Sequence, residues 1–209
     1  MERGKKVKKV WIDYRLIIGF VIAHILMYLT FQDKKVFWYM FTATMLILIS
    51  YSILNEKAEQ PTSMIHNNLY GIISGIFLFI VFWFGDAMIQ LFNLPFEKEI
   101  TSLYKAFAPV SLWHYIVLLF IIVPGEEIFW RGYIQKRLGM KMSATLSIVI
   151  ATMLYASIQI YSGYFIHIIA ALFGGIFWGV LYEWKKSIRL NIISHFIFDL
   201  CIFILIPLR

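Results

Sequence analysis

The stretch LYGIISGIFLFIVFWFGDAMIQLF, Leu69 to Phe92, holds a single charged residue, Asp86. A helix needs about 20 mostly apolar residues to cross the hydrocarbon of a bilayer. This run is long enough, and its aromatic and branched side chains have no polar face to offer water. Six further segments have the same character: Leu16–Phe31, Val36–Leu54, Phe107–Pro124, Ala144–Tyr161, Phe165–Tyr182 and Leu190–Leu208. A membrane barrel would need apolar and polar residues to alternate, and no such alternation is present. Over the 209 residues 61% are hydrophobic and 15% charged, where soluble domains sit near half and a quarter. The expected fold is an all-α, polytopic transmembrane helix bundle of about seven spans. It forms one transmembrane domain over 1–209, surrounded by lipid in the cell membrane as a multi-pass protein.

The composition excludes a soluble enzyme, a disordered chain and a nucleic-acid-binding domain. The net charge is +7, but no nucleic-acid partner is expected, because the basic residues gather in particular connections. Segments 1–15, 55–68, 125–143 and 183–189 carry 14 of the 19 Lys and Arg, against five in 32–35, 93–106, 162–164 and the C-terminus. Basic residues favour the cytoplasmic side, so the N-terminus is expected inside and the C-terminus outside. Lys5, Lys6, Lys8 and Lys9 precede the first apolar run as in a signal peptide. No small-residue cleavage site follows, so that run is read as a retained helix. Trp11, Trp38, Trp113 and Trp184 fall near span ends, as interfacial aromatics do. Asn55–Asn68 is the one polar linker of any length. Cys201 is the only cysteine, which excludes an internal disulfide and a multi-cysteine metal site.

Ionisable groups inside lipid are costly and ask for a reason. The densest group is Glu126-Glu127-Ile128-Phe129-Trp130-Arg131-Gly132, just after Pro124-Gly125. Proline frees carbonyls from the helix ladder, a usual way to shape a site. Glu127 and Arg131 are four apart and share a helix face, so they can pair. Glu126 points about 100° away, available for chemistry. The plainer reading is a charged cap on the fourth span, continued by Lys136, Arg137 and Lys141. On pattern alone the two readings weigh alike.

Asn191, His195 and Asp199 form a second stripe, one turn apart along the last span. An Asp one turn from a His can fix its tautomer. The same stripe can serve as polar glue between helices. Gln159, one turn past Tyr155, reads as glue. His24, His66, His114, His167 and Asp86 read as structural. Ala171, Gly175 and Gly179 recur every fourth residue, a small face for close helix packing.

Together these motifs resemble the CAAX-protease and bacteriocin-processing (CPBP, or Abi) family of intramembrane proteases, to which the type II CAAX prenyl endopeptidases belong. Glu126-Glu127 with Arg131 is similar to the first motif. Phe173-Gly174-Gly175 with Gly179, Leu181-Tyr182 and Ser187-Ile188 looks like the glycine-bearing helix and its following turn. His195 with Asp199 looks like the closing motif. The resemblance lies in the C-terminal half, 106–209, and residues 1–105 add generic spans. The family's middle motif is an aromatic, three residues, then His. Tyr155 stands at the aromatic, but Gln159 stands where the His belongs, and Gln can neither act as a base nor become cationic.

The resemblance implies hydrolysis of a membrane-associated peptide or protein within the membrane. Glu126 would activate a water, with Glu127 paired to Arg131. His195, oriented by Asp199, would stabilise the oxyanion, and Gln159 would add a second donor. A metalloendopeptidase reading would place a divalent metal such as zinc on Glu126 and His195, with Asp199 as a further ligand. The alternative is an impaired member acting as a bacteriocin immunity, binding or scaffold protein. A small transporter is a third reading, against which no internal repeat is evident. These groups can meet only if the fourth span starts near Leu112 and runs on to about Arg137, carrying Glu126 below the membrane surface.

Overall fold

The computed structural model describes residues 13–56 and 64–209, with side chains described from 68 onward in the second stretch. Seven helices are long and apolar enough to cross a membrane: α1 (Tyr14–Gln32), α2 (Phe37–Asn55), α3 (Met64–Leu91), α5 (Leu112–Gly139), α6 (Ala144–Ser162), α7 (Phe165–Lys185) and α8 (Ile188–Leu205). A short helix, α4 (Phe96–Phe107), lies between α3 and α5. No strand occurs among the described residues. The chain is a multi-pass membrane protein. The basic run before Trp11, and Trp11 itself, lie outside the described residues, as does the side chain of His66.

Polar residues fix where several spans begin. Asp13 accepts from the Leu16 N–H, Ser111 from His114, Ser143 from Leu146 and Ser187 from Leu190. Each satisfies an amide that the first helical turn leaves open. Two connections differ from expectation. Segment 93–106, read as a loop, contains α4, and the linker after Asn55 ends at Met64, where α3 begins. α4 is amphipathic: Ile100 is buried, Glu97, Lys98, Ser102 and Lys105 are exposed, and Phe107 packs on Phe31 and Phe37 at 5.2 and 4.7 Å. Glu99 accepts from the Ile166 N–H at 2.9 Å and so supports the first turn of α7.

The principal correction concerns the fourth span. It does not stop at Pro124 but runs from Leu112 to Gly139, placing Glu126 near its middle. Lys136 and Arg137 do form the charged cap expected of this region. Arg137 reaches Asp13 at 2.7 Å, Glu56 at 3.2 Å and the Asn55 carbonyl at 2.6 Å. That cap ties α5 to the ends of α1 and α2, a full two turns beyond the glutamates.

Small residues set the close crossings. A Cβ at Gly175 would lie 2.8 Å from Thr152, and one at Gly179 3.0 Å from Ile148, so the Ala171-Gly175-Gly179 face packs directly on α6. Gly71 and Gly75 make the same kind of face on α3. A Cβ at Gly71 would meet Ile193 at 2.8 Å, and one at Gly75 would collide with the Ser194 carbonyl. The N-terminal half therefore fixes the position of α8 at the turn that carries His195.

Candidate active site

α5 is irregular where the glutamates sit. Leu118–Ile122 and Ile128–Gln135 are π-helical and flank the turn Val123–Glu127. Pro124 has no N–H to give, and the wider turn before it, closed by Val123 N–H to the Leu118 carbonyl, relieves the ladder there. Gly125 lets α2 approach: a Cβ would lie 2.9 Å from that of Met45.

Glu127 is the hub of a buried network and is fully inaccessible. Its Oε1 accepts from Arg131 Nη1 at 2.9 Å and lies 2.8 Å from His195 Nδ1, while Oε2 accepts from Asn191 Nδ2 at 3.2 Å. Arg131 also reaches the Gly174 and Gly175 carbonyls, both at 3.4 Å. Asn191 donates in addition to the Trp178 carbonyl at 2.8 Å. A carboxylate paired with a guanidinium can only accept, so the proton between Glu127 and His195 sits on Nδ1. That leaves Nε2 as the nitrogen facing the interior.

Nε2 lies 3.9 Å from Glu126 Oε2 and 3.8 Å from Asp199 Oδ1. Tyr155 donates to Glu126 Oε2 at 3.0 Å. Behind the imidazole, Trp178 stacks at 3.8 Å between centroids and 21° between planes. Its indole N–H donates to Ser194 Oγ at 3.3 Å, and Ser74 of α3 donates to that oxygen at 3.0 Å. A Cβ at Gly174 would meet the Trp178 ring at 2.8 Å, so glycine there makes room for the plate. Glu126, His195 and Asp199 are 6%, 5% and 5% exposed. Three helices thus bring two carboxylates, a phenol and an oriented imidazole to one buried point.

Two features differ from the sequence expectation. Glu127, not Asp199, holds the Nδ1 of His195, because the longer fourth span carries Glu127 across to α8. Asp199 sits on the Nε2 side. Gln159 is buried on the 3-10 turn that ends α6, and its Oε1 makes no hydrogen bond among the described residues. No hydrogen bond joins its side chain to the cluster. Tyr155 and Trp178 were legible only as aromatics at helical spacing. The Tyr155 position within the motif was the one available signal for its closeness to Glu126.

The other histidines with described side chains lie elsewhere. His24 meets Tyr161 at 2.8 Å and Ser157 at 3.1 Å, linking α1 to α6. His114 stacks on Trp38 at 4.8 Å, and His167 packs edge-on against Phe31. Asp86 is held by both terminal nitrogens of Arg209, at 2.8 and 2.7 Å.

One imidazole nitrogen faces two carboxylate oxygens, Glu126 Oε2 at 3.9 Å and Asp199 Oδ1 at 3.8 Å, with a neutral amide at the remaining motif position. Structural and catalytic zinc sites use three or four nitrogen, sulfur or oxygen ligands at about 2.0–2.3 Å. Among the described residues no group of three His, Cys, Asp or Glu side chains is arranged to hold an ion. The residues do not fit the metal expected on Glu126 and His195.

Residues 108–201 match the family model described as type II CAAX prenyl endopeptidase Rce1-like. The matched segment is a little under half of the chain and contains the whole cluster from Glu126 to Asp199. The resemblance to the CAAX-protease family is borne out over that segment. No curated protein and no solved structure matches the chain.

Proposed function

We propose that this protein, with its type II CAAX endopeptidase-like segment, cleaves a peptide bond of a membrane-associated peptide or protein with a water activated by Glu126. The observation that carries the reading is the meeting of Glu126 with the inward nitrogen of His195, 3.9 Å apart and buried at mid-span. Two groups each at hydrogen-bond distance from one water can stand that far from each other.

Glu126 takes a proton from the water as its oxygen bonds to the scissile carbonyl carbon, and the C=O electron pair moves onto oxygen. His195, doubly protonated, gives Nδ1–H to Glu127 and Nε2–H to that oxyanion. The C–N bond then breaks, and the proton on Glu126 passes to the leaving nitrogen. Arg131 keeps Glu127 charged and in place. Asp199, with Oδ1 3.8 Å from Nε2, places a second carboxyl beside the imidazole. The low polarity around the cluster strengthens each of these contacts.

One observation favours a second reading. Gln159 stands at the middle motif position with no hydrogen bond to the cluster among the described residues, which suits a relative that binds a membrane peptide, as in bacteriocin immunity, without cutting it. Purified protein in proteoliposomes, given prenylated and unprenylated peptides, separates the two. The endopeptidase reading expects cleavage by the wild type, unaffected by a chelator, and none by Glu126→Gln. Peptide binding with no cleavage supports the second reading. Equal cleavage by wild type and Glu126→Gln overturns the proposed mechanism.

A further inference from the structure

The side chain that touches Glu126 directly is a phenol. Tyr155 is 7% exposed, and its hydroxyl has one hydrogen-bond partner among the described residues, Glu126 Oε2 at 3.0 Å. The ring is held from two sides. Trp130 lies 5.5 Å away between centroids, and the Arg131 guanidinium carbon lies 5.1 Å from the ring centroid. A phenol fixed in this way cannot swing away from the carboxylate without disturbing both neighbours. Arg131 is committed to Glu127, and His195 Nε2 stands 3.9 Å from Glu126 Oε2, too far to fix the carboxylate by a direct hydrogen bond. Without Tyr155 that carboxylate could rotate freely about its terminal bond, a torsion with broad minima.

We propose that Tyr155 is a positioning residue of this site. Its hydroxyl sets the plane of the Glu126 carboxylate and keeps its remaining lone pairs turned toward His195 Nε2. The inference rests on the endopeptidase reading. Tyr155 keeps its proton throughout: it donates to Oε2 before and after Glu126 takes the proton of water, and no bond to Tyr155 is made or broken. Its effect falls on the step in which Glu126 acts, not on peptide binding.

The test compares wild type, Tyr155→Phe and Glu126→Gln, purified as full chains in proteoliposomes, with a peptide that the wild type cleaves. Tyr155→Phe keeps the ring and its packing, so its unfolding midpoint should match the wild type. The expected result is a fall in kcat of about 10- to 100-fold with KM within about twofold. An infrared difference spectrum supplies a readout independent of turnover. The band lost in Glu126→Gln identifies the Glu126 carboxyl, and Tyr155→Phe should displace it. Unchanged kcat, a loss carried by KM, or an unmoved carboxyl band overturns the inference while leaving the endopeptidase reading intact. A wild type that cleaves nothing overturns that reading and this inference with it.

Discussion

Neutralising Glu127 should damage stability and activity by separable routes. The carboxylate is fully buried and holds Arg131 at 2.9 Å, His195 at 2.8 Å and Asn191 at 3.2 Å. Glu127→Gln preserves its size and one acceptor oxygen but leaves the guanidinium of Arg131, 2% exposed, without an anionic partner, its other contacts being two carbonyls at 3.4 Å. Stranding one partner of a buried ion pair costs about 3–5 kcal/mol. Within a membrane the unfolded reference also finds polar partners, so the expected loss is near the lower end, about 3 kcal/mol. Combining Glu127→Gln with Arg131→Met removes the stranded charge, and a coupling of about 2 kcal/mol should return. Cleavage should not return, because Nδ1 of His195 has still lost its anionic partner. Unfolding in mixed micelles, followed by tryptophan fluorescence, gives the stabilities, and peptide cleavage gives the activities. A single variant as stable as wild type to within about 0.5 kcal/mol, or a coupling near zero, would refute the buried pair.

Trp178→Phe should retain most cleavage, because a ring still backs His195, whereas Trp178→Leu should lower kcat about tenfold with little change in KM; equal rates for the two variants would show the plate to be irrelevant. At the charged end of the bundle, burial pushes the Asp13 carboxyl up, but the Arg137 guanidinium and the Leu16 N–H outweigh it and hold the group below its ordinary value. Its contribution is therefore complete above the unfolded carboxyl's pKa, about 3.9, and disappears as pH falls through the lower folded value. Asp13→Asn should be less stable than wild type at pH 7 by up to about 1 kcal/mol, and unfolding midpoints should converge in strong acid; a gap that persists there contradicts the ion pair.

Hydropathy made the spans legible because lipid imposes one rule on all of them, and six of the seven segments overlap their helices closely. The fourth was cut short for a physical reason. Glu126, Glu127 and Arg131 are costly in hydrocarbon, and Pro124-Gly125 looks like a helix stop. Neither signal discloses that Arg131, His195 and Asn191 satisfy Glu127 inside the bundle, or that π-helical turns absorb the proline. α4 escaped notice because it is too polar to span, although Phe96, Ile100 and Phe107 recur on one face.

The candidate residues Glu126, Glu127, Arg131, His195 and Asp199 were all readable as charges out of place. Their division of labour was not. Spacing within one helix favoured Asp199 as the partner that orients His195, yet the Nδ1 contact comes from Glu127 on another helix. Pairings between helices depend on crossing points, and those are set by Gly71, Gly75, Gly125 and Gly175 rather than by the reactive residues. Tyr155 and Trp178 belong to the same class: aromatic spacing along a span says that a ring is buried, not which polar group its edge or face will meet.

The most direct test is a dipolar-recoupling NMR distance in lipid bilayers between a labelled Glu126 carboxyl carbon and the Nε2 of His195. The 3.9 Å separation of Oε2 and Nε2, with a carbon–oxygen bond added, predicts a contact within about 5 Å. Absence of that contact, with the Glu126 signal broadened by a water-soluble paramagnetic agent, would mean that the carboxylate lies in bulk water away from the imidazole and would contradict the account.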